Sequence, residues 1–328
     1  MSLPAFKLLR PRTIEQAVGF LADHGLALKV LAGGTDLLPS MKQRLFMPSY
    51  LMDLRGIEKI NGIHEREGAG IEIGALTPLS TIEDSELIRR NYPVLHEAVA
   101  TVASPILRNM GTLGGNICLD TRCVWYNQSL QWRRSCGFCI KKDGNICHVA
   151  PGGKRCWAAF SSDTPPALLC LDAEIEIAGP KGLRRLPLKD FYTSIGDARM
   201  KLDANEMLTR VFLPQASMGW KGSYRKLRIR GSIDYPLAGV AVAVKQNSGP
   251  IEAARVALTA VNPAPLLVVA AEHALVGRQR IDQDAAEMVG ELAAKTAKPL
   301  TTSALTPEYR REVIKVYAKR AVLAVVSS

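Results

Sequence analysis

The sequence predicts an α+β protein in two parts, a larger mixed N-terminal region and a smaller C-terminal region of strands and helices. Three observations predict it. The chain opens with a helix, a short apolar strand and a glycine-rich turn, the pattern of a compact βα unit. Pro214 to Lys221 is polar, small and turn-rich, which marks a boundary. Beyond it, apolar residues alternate through Ser223–Ile229, Ala238–Lys245 and Glu252–Ala260, giving three antiparallel strands with helical patterns after them. The parts are residues 1–217 and 218–328, with an irregular insertion at 119–160.

Taken in order, Thr13 and Gln16 form a capping box, Ile14, Ala17, Val18, Leu21 and Ala22 make one apolar face, and Gly25 ends the helix. Strands follow at Leu28–Ala32 and Tyr50–Leu54, and a hairpin around Gly62–Ile73. Thr77 to Thr101 is helical, with Ser80 and Glu83 as a second capping box and Pro93 separating two helices. A helix at Ala167–Leu171 and strands at Glu174–Ala178 and Glu206–Leu213 complete the first part. In the second, helices are expected at Pro265–Val276 and Asp282–Lys295, and a last one opens at Thr306-Pro307 and runs to about Val325.

A chain of 328 residues is long enough for two domains, and 47% hydrophobic content is that of a globular protein. No apolar run reaches the roughly 20 residues that span a bilayer. The N-terminus lacks the pattern of a signal peptide, so the expected location is cytoplasmic. The net charge of +11 fits a basic surface that serves solubility; it is dispersed and accompanies no nucleic-acid-binding motif, so an acidic protein is a better candidate partner than nucleic acid.

Two glycine loops stand out: Gly33-Gly34-Thr35, after an apolar strand, and Thr112-Leu113-Gly114-Gly115-Asn116. Glycines let successive N–H groups face one concavity, which suits an anion. Neither loop fits the Rossmann fingerprint or the P-loop, and each alone also fits a tight turn. The ordered motifs decide. Ala32-Gly33-Gly34-Thr35-Asp36-Leu37, the Arg108–Asn116 loop, Ser162-Asp163 with Pro166, Pro187–Phe191, Tyr224-Arg-Lys226, Asp234–Ala238, Val256–Pro265 and Glu308–Arg311 resemble the FAD-binding medium subunit of the xanthine oxidase and carbon monoxide dehydrogenase family. The resemblance covers nearly the whole chain outside residues 119–160. It implies a two-subdomain FAD-binding domain of the molybdenum hydroxylase flavoprotein type, plus a small α/β C-terminal domain. By position it implies that Val30, Leu31, Ala32, Gly33, Gly34, Thr35, Asp36 and Leu37 cradle the pyrophosphate, with Thr112, Gly115 and Asn116 as the second loop. Val102 and Ala103 fall on the adenine side, and Asp163 on ribose or ribityl hydroxyls. Met207 and Leu208 would cover the flavin and Lys226 would make a polar contact, although core packing also explains the first two. Asp36 is expected to accept hydrogen bonds from its own loop's N–H groups.

In that family the Gly-Gly-Asn loop reaches the following Asp through a short connection. Here the connection exceeds forty residues and holds Cys123, Cys136, Cys139, Cys147 and Cys156. Cys118 and Cys170, in apolar company, read as buried small hydrophobes. Four thiolates in irregular, glycine-containing loops suit a [4Fe–4S] cluster, with structural zinc and free thiols as alternatives. Cys123, Cys139, Cys147 and Cys156 are the chosen ligands. Cys139 is preferred to Cys136 because it borders Phe138 and Ile140, whereas Cys136 follows Arg133-Arg134-Ser135.

A flavoprotein subunit with such an insert resembles the 4-hydroxybenzoyl-CoA reductase branch of the family. The resemblance implies a relay from ferredoxin through [4Fe–4S] and FAD toward the [2Fe–2S] small subunit and the molybdopterin-binding large subunit, in a dimer of heterotrimers. An oxidising relay delivering electrons to NAD, quinone or oxygen is the alternative, and a zinc-stabilised scaffold is another. Arg122, Arg133, Arg134, Lys141, Lys142, Lys154 and Arg155 make the insert basic, which is expected to steer an acidic ferredoxin.

Overall fold

The computed structural model describes residues 2–327. Thr13 caps the first helix, Ile14–His24, by accepting from Gln16 N (3.2 Å), and Gly25 closes it at φ +47°. Three short strands, β1 (Lys7–Leu9), β2 (Leu28–Leu31) and β3 (Tyr50–Asp53), form a parallel sheet in the order β1-β3-β2. β1 carries no alternating apolar pattern and exists through its backbone pairing with β3 alone, so no local pattern marks it.

A five-stranded antiparallel sheet follows, built from β4 (Ile63–Arg66), β5 (Gly70–Gly74), β6 (Glu174–Gly179), β7 (Gly182–Pro187) and β8 (Met207–Pro214) in the order β4-β5-β8-β6-β7. β8 lies between β5 and β6, pairing Val211 with both Ile73 and Ile175. The sheet therefore closes only after the chain has passed through the insertion and returned.

The expected helical stretch between Thr77 and Thr101 is three helices: Leu79–Glu83, Glu86–Asn91 and Pro93–Ala100. Pro93 opens the last, as expected, but Ser80 caps nothing. Glu83 is drawn away by the Arg108 guanidinium (2.6 and 2.8 Å), and Ser85 caps the second helix instead. A charge-assisted pair to a distant arginine outcompetes a local capping bond.

The C-terminal sheet has four strands in the order β12-β11-β10-β9: β9 (Lys221–Leu227), β10 (Ala238–Lys245), β11 (Ala253–Thr259) and the two-residue edge β12 (Leu266–Leu267). β12 takes the place of the first turn of an expected helix, which begins instead at Val269. Strand alternation on β10 decides how the parts join. Its alanines, Ala241 and Ala243, share the core of the five-stranded region, where their small size admits the helices Pro93–Ala100 and Thr164–Cys170. Its valines, Val240, Val242 and Val244, pack on the helix Pro307–Ser327, in a core shared with the helix Gln283–Thr296.

The insertion contains one short helix, Leu130–Ser135, and otherwise turns. Its base is zipped by Arg122 and Ala159, which exchange backbone hydrogen bonds of 2.7 and 2.9 Å. Further bonds, Val124 N to Thr302 O and Phe160 N to Asn262 O, tie it to the C-terminal region.

Candidate functional site: converging glycine loops and a four-cysteine cavity

The two glycine loops meet. A Cβ built on Gly33 would overlap the Met110 carbonyl, whose carbon lies 2.6 Å away, and stand 3.0 Å from Gly111 Cα. Gly33 is thus glycine because the second loop's backbone passes over it, not because a ligand must. Gly34 takes φ +75° and links to the next helix through Leu38 N (3.1 Å). Gly114 sits against the Ala75 carbonyl, to which it donates (2.8 Å). Gly115 is different: it is exposed, and a Cβ there would meet only Thr112 Oγ1 at 3.0 Å. Val30, in β2, and Thr35, on the facing loop, are exposed. The N–H groups of Leu113, Gly114, Gly115 and Asn116 are bonded within the protein, to Thr77 O, Ala75 O, Thr112 Oγ1 and Thr112 O, so what the pair of loops leaves open is the exposed edge at Gly115 and Thr35.

Asn116 anchors the second loop. Its Oδ1 accepts from Ser162 Oγ (2.6 Å), Thr164 Oγ1 (2.7 Å) and Thr164 N (3.1 Å). That brings Asp163 beside the loop, with both carboxylate oxygens engaged: Tyr224 OH donates at 2.8 Å and Lys226 Nζ at 2.9 Å. Burial pushes the Asp163 carboxyl up, while the Lys226 charge opposes it. Lys226 also donates to Thr101 O (2.9 Å), at the start of the segment holding Val102 and Ala103. Ala103 adopts φ +44° and its carbonyl accepts from Ile233 N (2.8 Å). Residues 101–103, 163 and 226–233 therefore form one cluster although they lie far apart in the chain. Met207 and Leu208, adjacent on β8, point into two different cores, and Met207 shares its core with Ala32 beside the first glycine loop.

The expectation for Asp36 is corrected. Its carboxylate takes no loop N–H; Oδ1 accepts from Arg122 NH1 and Tyr235 OH, both at 2.8 Å, and the Arg122 guanidinium lies 4.1 Å from the Tyr235 ring centre. A cation and a hydroxyl brought by tertiary contact are stronger partners than local amides. One carboxylate thus joins the first glycine loop, the cysteine insertion and the C-terminal region.

Cys123, Cys139, Cys147 and Cys156 are 9%, 7%, 5% and 4% exposed, and all four line one cavity with Trp125, Tyr126 and Lys141. Cys136 is half-buried and does not line it, and Cys170 sits in the core. None of the seven cysteines is in a disulfide. Among the described residues, no three His, Cys, Asp or Glu side chains close on a single ion. Four thiols lining one cavity are the donor set of a thiolate-bound metal centre, whether structural zinc or an iron–sulfur cluster. Burial pushes the Cys123 thiol up to about 12 and Cys156 up to about 11. A bound metal centre relieves that by stabilising the thiolates.

The basic insert is less exposed than its composition implies. Arg133 is 1% exposed, donating to the Arg44 carbonyl (2.9 Å), with Asp143 3.4 Å away. Arg122 and Lys141 are occupied by Asp36 and Asp120. Arg134, Lys154 and Arg155 remain on the surface. The expectation that Arg133 faces a docking partner is therefore overturned.

Fold and paired loops define an FAD-binding protein of the α+β type. The family described as the FAD binding domain in molybdopterin dehydrogenase matches residues 4–216, and the CO dehydrogenase flavoprotein C-terminal domain matches residues 222–325. The carbon monoxide dehydrogenase medium chain of Afipia carboxidovorans is 31% identical over 97% of this chain and 96% of its own length. The aldehyde oxidoreductase FAD-binding subunit PaoB of Escherichia coli is 34% identical over 83% of this chain and 86% of its own. Among solved structures, a Cu,Mo-CO dehydrogenase in its cyanide-inactivated form superposes with a TM-score of 0.82 at 28% identity, covering 100% of this chain and 99% of that one. The chain belongs to the FAD-binding medium-subunit family of the xanthine oxidase and carbon monoxide dehydrogenase enzymes, and is an oxidoreductase subunit of the molybdenum hydroxylase type. No helix among the described residues is long and apolar enough to cross a membrane.

Proposed function

We propose that this chain is the electron-transfer subunit of a molybdenum-containing reductase, holding FAD at its glycine loops and a [4Fe–4S] cluster on Cys123, Cys139, Cys147 and Cys156. In this reading it receives electrons from a ferredoxin and passes them toward a [2Fe–2S] small subunit and a molybdopterin-binding large subunit. The reaction served is reductive dehydroxylation of 4-hydroxybenzoyl-CoA, in a cytoplasmic dimer of heterotrimers. The carrying observation is that four buried cysteines from a 34-residue span line one cavity while a fifth, Cys136, stays outside it.

FAD, when bound, supplies both one- and two-electron steps, and the protein's part is to place and tune it. The backbone from Val30 to Leu37 and the Thr112–Asn116 loop would hold the pyrophosphate, with Gly115 leaving the approach open. Asp163 and Lys226, locked together, would present fixed polar groups to the nucleotide's hydroxyls. Arg122, next to a cluster cysteine, holds Asp36, next to the diglycine turn, and so fixes one cofactor site against the other. Residues 1–217 would form the flavin domain and 218–328 the C-terminal domain.

Cysteine substitution tests this reading. Changing Cys123, Cys139, Cys147 or Cys156 to Ser should remove about four irons per chain and leave FAD in place, whereas Cys136→Ser should keep its iron. A purified wild-type subunit that binds zinc, or no metal, refutes the cluster. A relative's name favours a second reading, since carbon monoxide dehydrogenase denotes an oxidation. Turnover of the whole complex separates the two. Ferredoxin-driven loss of a phenolic hydroxyl supports the reductase, and substrate oxidation coupled to NAD, quinone or oxygen supports the alternative.

A further inference from the structure

Lys141 is a lysine in an unusual place. Its side chain is 6% exposed, and it is the one lysine or arginine, among the described residues, that lines the four-cysteine cavity. Lysine normally keeps its ammonium in water. Here Nζ meets three acceptors, Asp120 Oδ1 (2.9 Å), the Thr121 carbonyl (2.8 Å) and the Thr121 hydroxyl, which matches the three protons of an ammonium. The Tyr126 ring centre lies 4.3 Å away, a further contact suited to a cation.

The anion of this group is as firmly placed as the cation. Asp120 is buried, and its Oδ1 also faces Arg199 NH1 at 3.3 Å. Arg199 is fixed in turn by the Leu119 and Cys118 carbonyls (2.9 and 3.1 Å). Two cations and one carboxylate are thus locked at the base of the insertion, where little solvent screens them. Arg134, Lys154 and Arg155 stand in solvent, and at physiological salt their influence fades over about 8 Å. Arg133, though buried, does not line the cavity; Asp120 does not line it either, and reaches it through its bond to Lys141 Nζ.

Resting on the cluster reading above, we propose that Lys141 and Asp120 set the electron affinity of the four-cysteine centre, with opposite signs. A centre held by four thiolates is already anionic, and accepting one electron makes it more negative by one charge. A fixed ammonium on the cavity wall stabilises that reduced form, and the neighbouring carboxylate opposes it. The surface arginines and lysines of the insertion leave the potential unchanged.

The test is an anaerobic redox titration of the whole complex, with dithionite as reductant and the reduced cluster followed by its paramagnetic resonance signal. Iron and FAD are counted first. Lys141→Met should lower the cluster midpoint, Asp120→Asn should raise it, and the double variant should fall between them. Arg134→Gln should leave it in place. Opposite signs are the discriminating result, because a purely structural disturbance has no reason to reverse with the charge removed. Shifts of the same sign, or no shift in a variant that keeps its iron, overturn the inference. If Lys141→Met loses its cluster, Asp120→Asn decides alone: only an upward shift supports the proposal. A wild-type complex without iron refutes the cluster reading itself and is recognised before any titration begins.

Discussion

Gly33 and Gly115 both belong to glycine loops, yet their substitution should have different consequences. At Gly33 the new Cβ would stand 2.6 Å from the Met110 carbonyl carbon, where carbon atoms in ordinary contact keep ~3.5 Å. The loops must part by about 1 Å, and the obstacle is backbone rather than a side chain that can rotate away. Overpacking of this kind costs about 1–3 kcal/mol. At Gly115 the only neighbour is Thr112 Oγ1 at 3.0 Å, and the backbone is not left-handed. Gly115→Val crowds the hydroxyl that caps this helix by accepting from Gly115 N, so it should fold with a loss of no more than about 1 kcal/mol, while its side chain fills the space open to the pyrophosphate. Bound FAD itself stabilises by mass action, by about 2.7 kcal/mol at a hundredfold excess over Kd, so the unfolding comparison is made on flavin-stripped protein. The assay is flavin absorbance per chain alongside denaturant unfolding of the apo forms. Gly115→Val should lose less stability than Gly33→Val yet bind little FAD, and Gly33→Val should lose both stability and flavin. Full FAD in Gly115→Val would refute the placement of the site, and wild-type stability in apo Gly33→Val would refute the account of the loop contact.

Other outcomes follow from the same contacts. Lys226→Met leaves the Asp163 carboxylate buried beside Tyr224 without its cation, which should cost about 3–5 kcal/mol in apo unfolding; adding Asp163→Asn should recover part of it. If a ferredoxin docks on the insertion, Arg134→Glu with Lys154→Glu should slow its electron delivery and weaken the rate's salt dependence, while reduction by small neutral dyes stays unchanged. Arg133→Glu is unsuitable for that test, because it buries a lone carboxylate and should lower stability whatever the donor. Hydrogen bonds from Arg55 hold the Asp53 carboxyl below its ordinary range against the effect of burial. With its folded pKa depressed, Asp53 contributes fully above the unfolded value of about 3.9 and loses that contribution as pH falls through the folded value. Asp53→Asn should flatten the stability profile below about pH 4, by no more than about 1 kcal/mol since Arg55 is exposed.

Local rules were enough for much of this fold. Thr13 caps the first helix, Pro307 opens the last, and the alternation on β10 is plain in Ala-Gly-Val-Ala-Val-Ala-Val, because each depends on neighbours a few residues away. The ordered glycine motifs and the clustering of cysteines between Asn116 and Asp163 were equally legible, since composition and spacing alone carry them. What tertiary structure decided is what depends on partners distant in the chain. β1 exists only through β3, Glu83 left its expected cap for Arg108, and Asp36 turned from its own loop to Arg122 and Tyr235. A basic composition did not reveal that Arg133 and Lys141 are buried, because charge in a sequence has no depth until the chain packs. Nor could spacing show that Gly33 makes room for Met110 while Gly115 makes room for nothing within the protein. Both positions call for glycine, and only the approach of the second loop separates the two reasons.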